Sequence, residues 1–178
     1  MNKLKVNSHF CEIKTGNINY KESTIKSLLA INKNGNFCQI VPAQTVCSFL
    51  QAFVALEQTL DAQSNNTSFS EKPQLEFLIR LYGTKQINAA LDRAELKTGK
   101  NMALLICAHK SRQKLNALFS KAQKELEFAG QKFQLGANKK ELMKLYRVSN
   151  AQLQSMKGEK NALEKLIIEK NSLVVFQT

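Results

Sequence analysis

Side chains that carry most enzyme chemistry are scarce in this sequence of 178 residues. It has two histidines, His9 and His109, and its 14 acidic residues include only two aspartates, Asp61 and Asp92. Paired carboxylates, aspartate-held magnesium and histidine proton relays need more of these side chains than the chain offers. We therefore expect a protein that is not an enzyme and that uses no metal ion and no cofactor.

Spacings that mark known catalytic sites are also missing. The sequence has no P-loop, no dinucleotide-binding fingerprint and no H-E-x-x-H zinc motif. Cys107 and His109 lie two residues apart, but a nucleophile and its base need an orienting third group, and no carboxylate is near in sequence. We interpret them as a core cysteine and a surface histidine. The spacing of Glu76 and Arg80 is typical of an ordinary i,i+4 ion pair on a helix.

Positive charge is the strongest chemical signal. The 26 Lys and Arg residues give a formal net charge of +12. Residues 97–147 hold 12 basic and three acidic residues, a net of +9, whereas residues 1–96 carry +2. Lys110, Arg112 and Lys121 fall in this segment, on or beside one predicted helix. Such a basic face is typical of proteins that contact phosphates, so we expect nucleic-acid binding, with a solvated lysine-rich surface as the alternative.

The cysteines and the termini bear on compartment. Cys11, Cys38, Cys47 and Cys107 form no C-x-x-C pair, and we expect reduced, mostly buried thiols. The first 20 residues lack the apolar segment of a signal peptide, and no apolar run reaches the roughly 18 residues of a membrane span. These features predict a cytoplasmic protein that does not contact a membrane.

Hydrophobic patterning predicts strands alternating with helices. The predicted strands are residues 9–14, 37–41, 102–108, 125–129 and 173–176. The almost continuously apolar run 102–108 predicts a central strand that is buried on both faces. Asn34, Gly35 and Asn36 predict a turn.

Apolar residues at helical spacing predict eight helices, with a polar loop at residues 61–72. The predicted helices lie within residues 20–31, 43–60, 73–82, 84–94, 110–121, 139–147, 149–156 and 162–172. Ser70 and Thr84 are expected helix caps, Ser149 and Gln152 fit a capping box, Gly83 ends a helix, and Ile87 is expected in the core. The fold class is therefore α/β (α+β), with one small mixed or antiparallel sheet packed with helices in a single domain, residues 1–178.

Two segments resemble one family, the small kinase-binding subunit of the KEOPS complex, known in eukaryotes as the PRPK-binding protein. Residues 75–91 (LEFLIRLYGTKQINAAL) are similar to its core pattern, E-[IL]-L-x-R-x-[SA]-G-x-[RK]-Q-I-x-x-A-[IL]. Residues 162–176 (ALEKLIIEKNSLVVF) are similar to its closing helix and strand. The loop 63–73 is longer than usual, Gln51 replaces a common histidine, and residues 119–136 are difficult to align. The residues on the core pattern are Glu76, Leu78, Arg80, Gly83, Lys85, Gln86, Ile87, Ala90 and Leu91.

The resemblance implies a small mixed sheet packed with helices and no catalytic role. It implies a subunit that binds and stimulates the small atypical kinase/ATPase of the complex and captures the 3′ CCA end of tRNA. The whole complex makes threonylcarbamoyl adenosine in tRNA. On this basis Gln86 would read a base edge, Arg80 and Lys85 would meet phosphate, and Gly83 would let RNA approach the backbone. A plain helix end is the alternative for Gly83.

Ile168 is the candidate kinase anchor. Leu163, Leu166 and Ile167 form a stripe that is expected to face the core, and Ile168 lies about 100° further round the helix, at the margin. Its alternative role is core overflow. Two other functions stay open: a generic basic RNA-binding or ribosome-associated domain, and a protein-binding adaptor whose lysines only keep it soluble.

Overall fold

The structure is a computed structural model that describes residues 2–6, 8–33 and 35–176. The chain divides into two compact units. We call residues 1–43 and 94–133 the sheet unit, and residues 44–93 and 134–178 the helical unit. A single domain spanning residues 1–178 stays a prediction, and Asn34 of the predicted turn lies outside the described residues.

The sheet unit contains one small antiparallel sheet, which confirms the predicted α+β class. Its strands are β1 (Asn2–Val6), β2 (His9–Tyr20), β3 (Phe37–Pro42), β4 (Gly99–His109) and the two-residue β5 (Ala129–Gly130). The strand order is β1-β2-β4-β3, and β5 also pairs with β2. Every strand pair is antiparallel.

Burial of β4 on both faces explains why its sequence is apolar without alternation. Leu104, Leu105 and Ile106 are all 0% exposed, as predicted. Two helices, α1 (Glu22–Ile31) and α5 (Arg112–Glu125), add side chains to a hydrophobic cluster in this unit. The cluster consists of Ile18, Ile31, Cys38, Ile40, Leu96, Ala103, Leu105, Cys107, Leu115, Leu118, Phe119, Ala122, Leu126 and Phe128.

The helical unit packs its helices around a second group of buried side chains. Leu56, Phe77, Leu81 and Ile167 are each 0% exposed. The α-helices are α2 (Phe49–Ser64), α3 (Pro73–Tyr82), α4 (Ile87–Ala94), α6 (Lys139–Leu145), α7 (Asn150–Ser155) and α8 (Ala162–Ser172). Short 3₁₀ helices lie at Ala43–Thr45 and Leu173–Phe176.

Helix ends follow local rules more closely than helix faces do. Ser149 and Gln152 form the predicted capping box, and Gly83 ends α3 in the left-handed conformation. The predicted cap at Ser70 is wrong, because Lys72 occupies the N-cap position of α3. The predicted core position of Ile87 is also wrong, since it is 39% exposed and α4 buries only the small Ala90.

Of the predicted segments that differ from the structure, three change their type or one end for a clear physical reason. Residues 173–176 form a 3₁₀ helix, not a strand, because they continue directly from α8 and bury Val174, with no partner strand among the described residues. Helix α5 continues to Glu125, so the predicted strand 125–129 shrinks to β5. Helix α2 starts at Phe49, because the Ser48 hydroxyl caps it by accepting the Gln51 N–H, and it runs to Ser64.

All four cysteines are buried thiols outside any disulfide, as expected. Cys38 on β3 and Cys107 on β4 lie opposite each other in the sheet, with their sulfur atoms 3.5 Å apart. Within the described part of the chain, no helix combines the length and apolarity that crossing a bilayer requires.

Candidate functional site

A cleft of about 570 Å³ opens in the helical unit, a volume within the range of ligand-binding pockets. Four of its lining residues are basic, and none of the lining residues, all of which the structure describes, is acidic. We call it the basic cleft. It is lined by Tyr82, Gly83, Thr84, Lys85, Gln86, Ala89, Arg93, Leu145, Tyr146, Arg147, Lys170, Asn171 and Leu173.

The end of α3 positions the predicted motif residues in this cleft. Gly83 has a φ of +59°, and the Thr84 N–H donates to the Ile79 carbonyl at 3.2 Å. A Cβ atom added at Gly83 would lie 2.6 Å from Oδ1 of Asn171 and 3.1 Å from its Cα. Glycine therefore serves both the left-handed turn and the close approach of α8.

A buried polar network forms the floor of the basic cleft. Nε2 of Gln51 donates to the Leu81 carbonyl at 3.0 Å and to the Tyr146 hydroxyl at 2.6 Å. Nδ2 of Asn171 donates to the same carbonyl. Burial raises the pKa of the Tyr82 and Tyr146 hydroxyls above the ordinary tyrosine value. The network satisfies a carbonyl at the end of α3 and holds α2, α3 and α8 together around the cleft.

Three of the four cations of the cleft have side chains that contact neighbouring residues. Nη1 of Arg93 donates to the Tyr82 carbonyl at 2.7 Å, and Nζ of Lys170 donates to the Arg147 carbonyl at 2.6 Å. Nζ of Lys85 lies 5.1 Å from the centre of the Phe69 ring. Positive charge on a wall without carboxylates attracts anionic ligands.

Gln86 combines a fixed backbone with a side-chain amide that has no hydrogen-bond partner among the described residues. Its N–H donates to Oγ1 of Thr84 at 3.3 Å, and its carbonyl accepts the Ala90 N–H at 3.1 Å. The side chain is exposed at the cleft. The amide can therefore both donate to and accept from the edge of a bound base.

Arg80 does not line the basic cleft. It is 5% exposed, and its Nε and Nη2 atoms are each 2.8 Å from Oε1 of Glu76, which confirms the predicted ion pair. Its guanidinium lies 5.0 Å from the Phe69 ring centre and lines a second cleft of about 430 Å³. The structure thus brings Gly83, Lys85 and Gln86 into the basic cleft. Arg80 lies outside its lining but shares the Phe69 ring with Lys85, and its RNA role stays a prediction.

The other predicted RNA-binding residues belong to the sheet unit. Lys110 follows β4, Arg112 is the first residue of α5, and Lys121 is an exposed residue of the same helix. Lys121 lies 3.7 Å from Glu125, whereas Lys110 and Arg112 have no ion-pair partner within the described chain. Their phosphate contacts stay predictions as well.

Cys107 and His109 do not form a catalytic pair. Cys107 is 0% exposed, and burial raises the pKa of its thiol well above the ordinary value. Nδ1 of His109 accepts the Ser111 N–H at 2.8 Å. The lone pair of this nitrogen is therefore not available to take a proton from a nucleophile. No group of three or more His, Cys, Asp or Glu side chains among the described residues could hold a metal ion.

Ile168 is half-buried on α8, beside a face that buries Leu166 and Ile167 as the helical spacing predicts. Leu163, which the same spacing also predicts to face the core, is only half-buried. Its contact with a kinase stays a prediction.

Sequence reasoning missed the cations Arg93, Arg147 and Lys170 of the basic cleft, and also its polar residues Tyr146 and Asn171. Arg93 and Lys170 come from segments with little excess charge, so the density of lysine and arginine along the chain does not identify them. Only packing of α3, α4, α6 and α8 brings them to one place.

The model of one protein family, described as "Kinase binding protein CGI-121", matches residues 16–174. The matched span contains every residue of the basic cleft and Ile168. A search of curated proteins returned no match.

Proposed function

The chain belongs to the CGI-121 family of kinase-binding proteins, and we propose that it is the non-catalytic subunit of a KEOPS complex that recruits tRNA. In this role it binds and stimulates the small atypical kinase/ATPase of the complex. It also captures the 3′ CCA end of tRNA in the basic cleft. Both actions support threonylcarbamoyl adenosine modification of tRNA.

The observation that carries the RNA proposal is the composition of the basic cleft. A 3′ tail is single-stranded, so its phosphates, its base edges and its base faces are all available to a protein. Lys85 and Arg147 supply positive charge, Gln86 supplies an unpaired amide, and Leu145 and Leu173 supply apolar surface. This combination suits a short single strand better than a neutral metabolite or a cation.

Phosphate contacts outside the cleft would add affinity without sequence selection. Lys110, Arg112 and Lys121 are exposed basic residues of the sheet unit and are proposed for this role. Arg80 holds Glu76 in an ion pair, and Glu76 accepts the N–H groups of Phe69 and Ser70 in the loop beside it. We propose that Arg80 contributes to RNA binding chiefly by holding this loop.

Replacing Gln86 by alanine should weaken binding to intact tRNA about tenfold, or about 1.4 kcal/mol, and leave binding to tRNA without its CCA end unchanged. The reason is that only the intact end presents bases to the amide. Lys121→Ala should weaken both RNAs by the same factor, because a phosphate contact reads no sequence. Gel-shift titrations with the two RNAs measure both effects, and an equal loss for both RNAs in Gln86→Ala would contradict the proposed site.

The kinase is proposed to dock on a surface that includes Ile168. Ile168→Glu should weaken the complex at least about 30-fold, because a charge would be buried at the centre of an interface, where hot-spot residues contribute about 2 kcal/mol or more. Co-elution of the variant with the complex's kinase measures this, and thermal melting tests the fold. Ser155→Glu adds the same charge at an exposed position of α7 and should leave co-elution intact.

Retained co-elution of Ile168→Glu, or unfolding of the isolated variant, would show that Ile168 is not the anchor.

The two alternative functions make distinct predictions. A generic RNA-binding domain would bind intact and trimmed tRNA equally well, and a pure adaptor would bind the kinase but neither RNA.

A further inference from the structure

Arg147 has a backbone conformation that residues other than glycine rarely adopt, with a φ of +52°. It follows the end of α6, where the Val148 N–H donates to the Met143 carbonyl at 2.8 Å and the Arg147 N–H donates to the Lys144 carbonyl at 3.2 Å. These two bonds define a Schellman motif, whose left-handed position is usually glycine. Arginine at this position costs folding stability relative to glycine.

A matched helix end in the sheet unit has the same backbone conformation but a side chain that is paired. Glu127 follows α5 with a φ of +49°, and the Phe128 N–H donates to the Gln123 carbonyl at 2.8 Å in the same motif. The Glu127 carboxylate then accepts two hydrogen bonds from Nζ of Lys21, at 2.7 and 2.9 Å. An intramolecular ion pair therefore accompanies the strained backbone at Glu127.

The side chain of Arg147 has no such partner among the described residues. Its side chain is exposed and lines the basic cleft, and its guanidinium has no hydrogen bond or ion pair with any described residue. The backbone carbonyl, by contrast, is held by Nζ of Lys170 at 2.6 Å, which fixes the turn from which the side chain projects. The chain thus retains a strained, anchored turn that carries a free guanidinium into a cleft without carboxylates.

We infer that Arg147 is a ligand contact of the basic cleft, where its guanidinium binds a phosphodiester of the single-stranded RNA end. This inference rests on the proposed function. A planar guanidinium can donate two parallel hydrogen bonds to one phosphate, which lysine cannot do. Strained residues persist where the strain serves a site, and here the stability lost at the turn is exchanged for contact with RNA.

The test is a variant that relieves the strain and removes the contact together. Arg147→Gly should raise Tm by about 2–4 °C, because glycine adopts the left-handed conformation without strain. It should also lower the affinity for a short, fluorescein-labelled single-stranded RNA ending in CCA about tenfold, measured by fluorescence anisotropy. Arg147→Lys keeps the charge and should recover only part of this loss, with no rise in Tm.

Lys140→Ala is the control for net charge. It removes one positive charge from an exposed position of α6 outside the basic cleft and should change affinity less than twofold. Unchanged affinity in Arg147→Gly, a loss equal to that of Lys140→Ala, or a loss without a rise in Tm would each overturn the inference. If the wild-type protein fails to bind this RNA, or binds an RNA without CCA equally well, the proposed function fails instead.

Discussion

Replacing Glu76 by alanine is expected to lower the free energy of unfolding by about 3–5 kcal/mol, the cost of leaving one member of a buried ion pair without its partner. Glu76 is 0% exposed and Arg80 is 5% exposed. Two nitrogen atoms of Arg80 donate to Oε1 of Glu76, and Oε2 accepts the N–H groups of Phe69 and Ser70 at 2.8 and 3.0 Å. Alanine would leave the guanidinium buried and unpaired and would release the loop.

Urea unfolding measures this loss, and a second ion pair with the same spacing is the control. Lys121 and Glu125 are four residues apart on α5, 3.7 Å from each other and exposed. Glu125→Ala should therefore cost less than about 0.5 kcal/mol. Replacing Glu76 and Arg80 together by methionine should cost less than Glu76→Ala alone, since no charge then stays in the core. A loss below about 1 kcal/mol in Glu76→Ala would show that the pair is not tightly coupled to folding.

The stability of Glu76→Ala also bears on why an Arg80 variant would bind RNA less tightly. Arg80→Ala would leave the Glu76 carboxylate buried, so reduced RNA binding could follow from a disturbed loop. An RNA role of Arg80 is supported only if binding falls further than the loss of folded protein accounts for.

Gly83→Ala is expected to lower the free energy of unfolding by about 2–4 kcal/mol, from a left-handed alanine and from overpacking. The added methyl group would lie 2.6 Å from Oδ1 of Asn171, whose amide donates to the Leu81 carbonyl in the cleft floor. Moving Asn171 would break that bond, so the variant should also weaken RNA binding. Urea unfolding and anisotropy measure the two effects.

Gly35→Ala is the control that separates backbone strain from steric overlap with a neighbouring side chain. Gly35 has a φ of +75°, but an added Cβ would meet nothing within 4 Å, so only the conformational cost of about 1–2 kcal/mol applies. If Gly83→Ala lowers the free energy of unfolding no more than Gly35→Ala does, the close packing of Asn171 against Gly83 adds no cost. Gly83 would then serve only as the left-handed end of α3.

Local sequence signals predicted the parts of the fold that depend on neighbours along the chain. The apolar run of β4, the capping box of Ser149 and Gln152, and the left-handed end at Gly83 all follow from short-range sterics and hydrogen bonding. The i,i+4 spacing also predicted the ion pair of Glu76 and Arg80. It did not show that the pair is buried, because burial depends on the elements that pack against α3.

Strands without a strong pattern depended on their partners. Residues 2–6 include three polar residues and show no clear strand pattern. They form β1 because they pair with the edge of β2. Residues 173–176 have a strand-like composition but continue α8 as a 3₁₀ helix. Strand propensity reflects half-buried surroundings rather than a backbone preference, so composition alone does not decide such segments.

By itself, the sequence determined the charge of this protein, its shortage of catalytic side chains, its main helices and strands, and a family motif that matched Gly83, Lys85 and Gln86. The tertiary structure decided which cations share a cleft. Arg93, Arg147 and Lys170 lie far apart in sequence, and they line one wall because α4, α6 and α8 end near each other. Helix periodicity describes the faces of a single element, whereas a cleft arises where several elements pack.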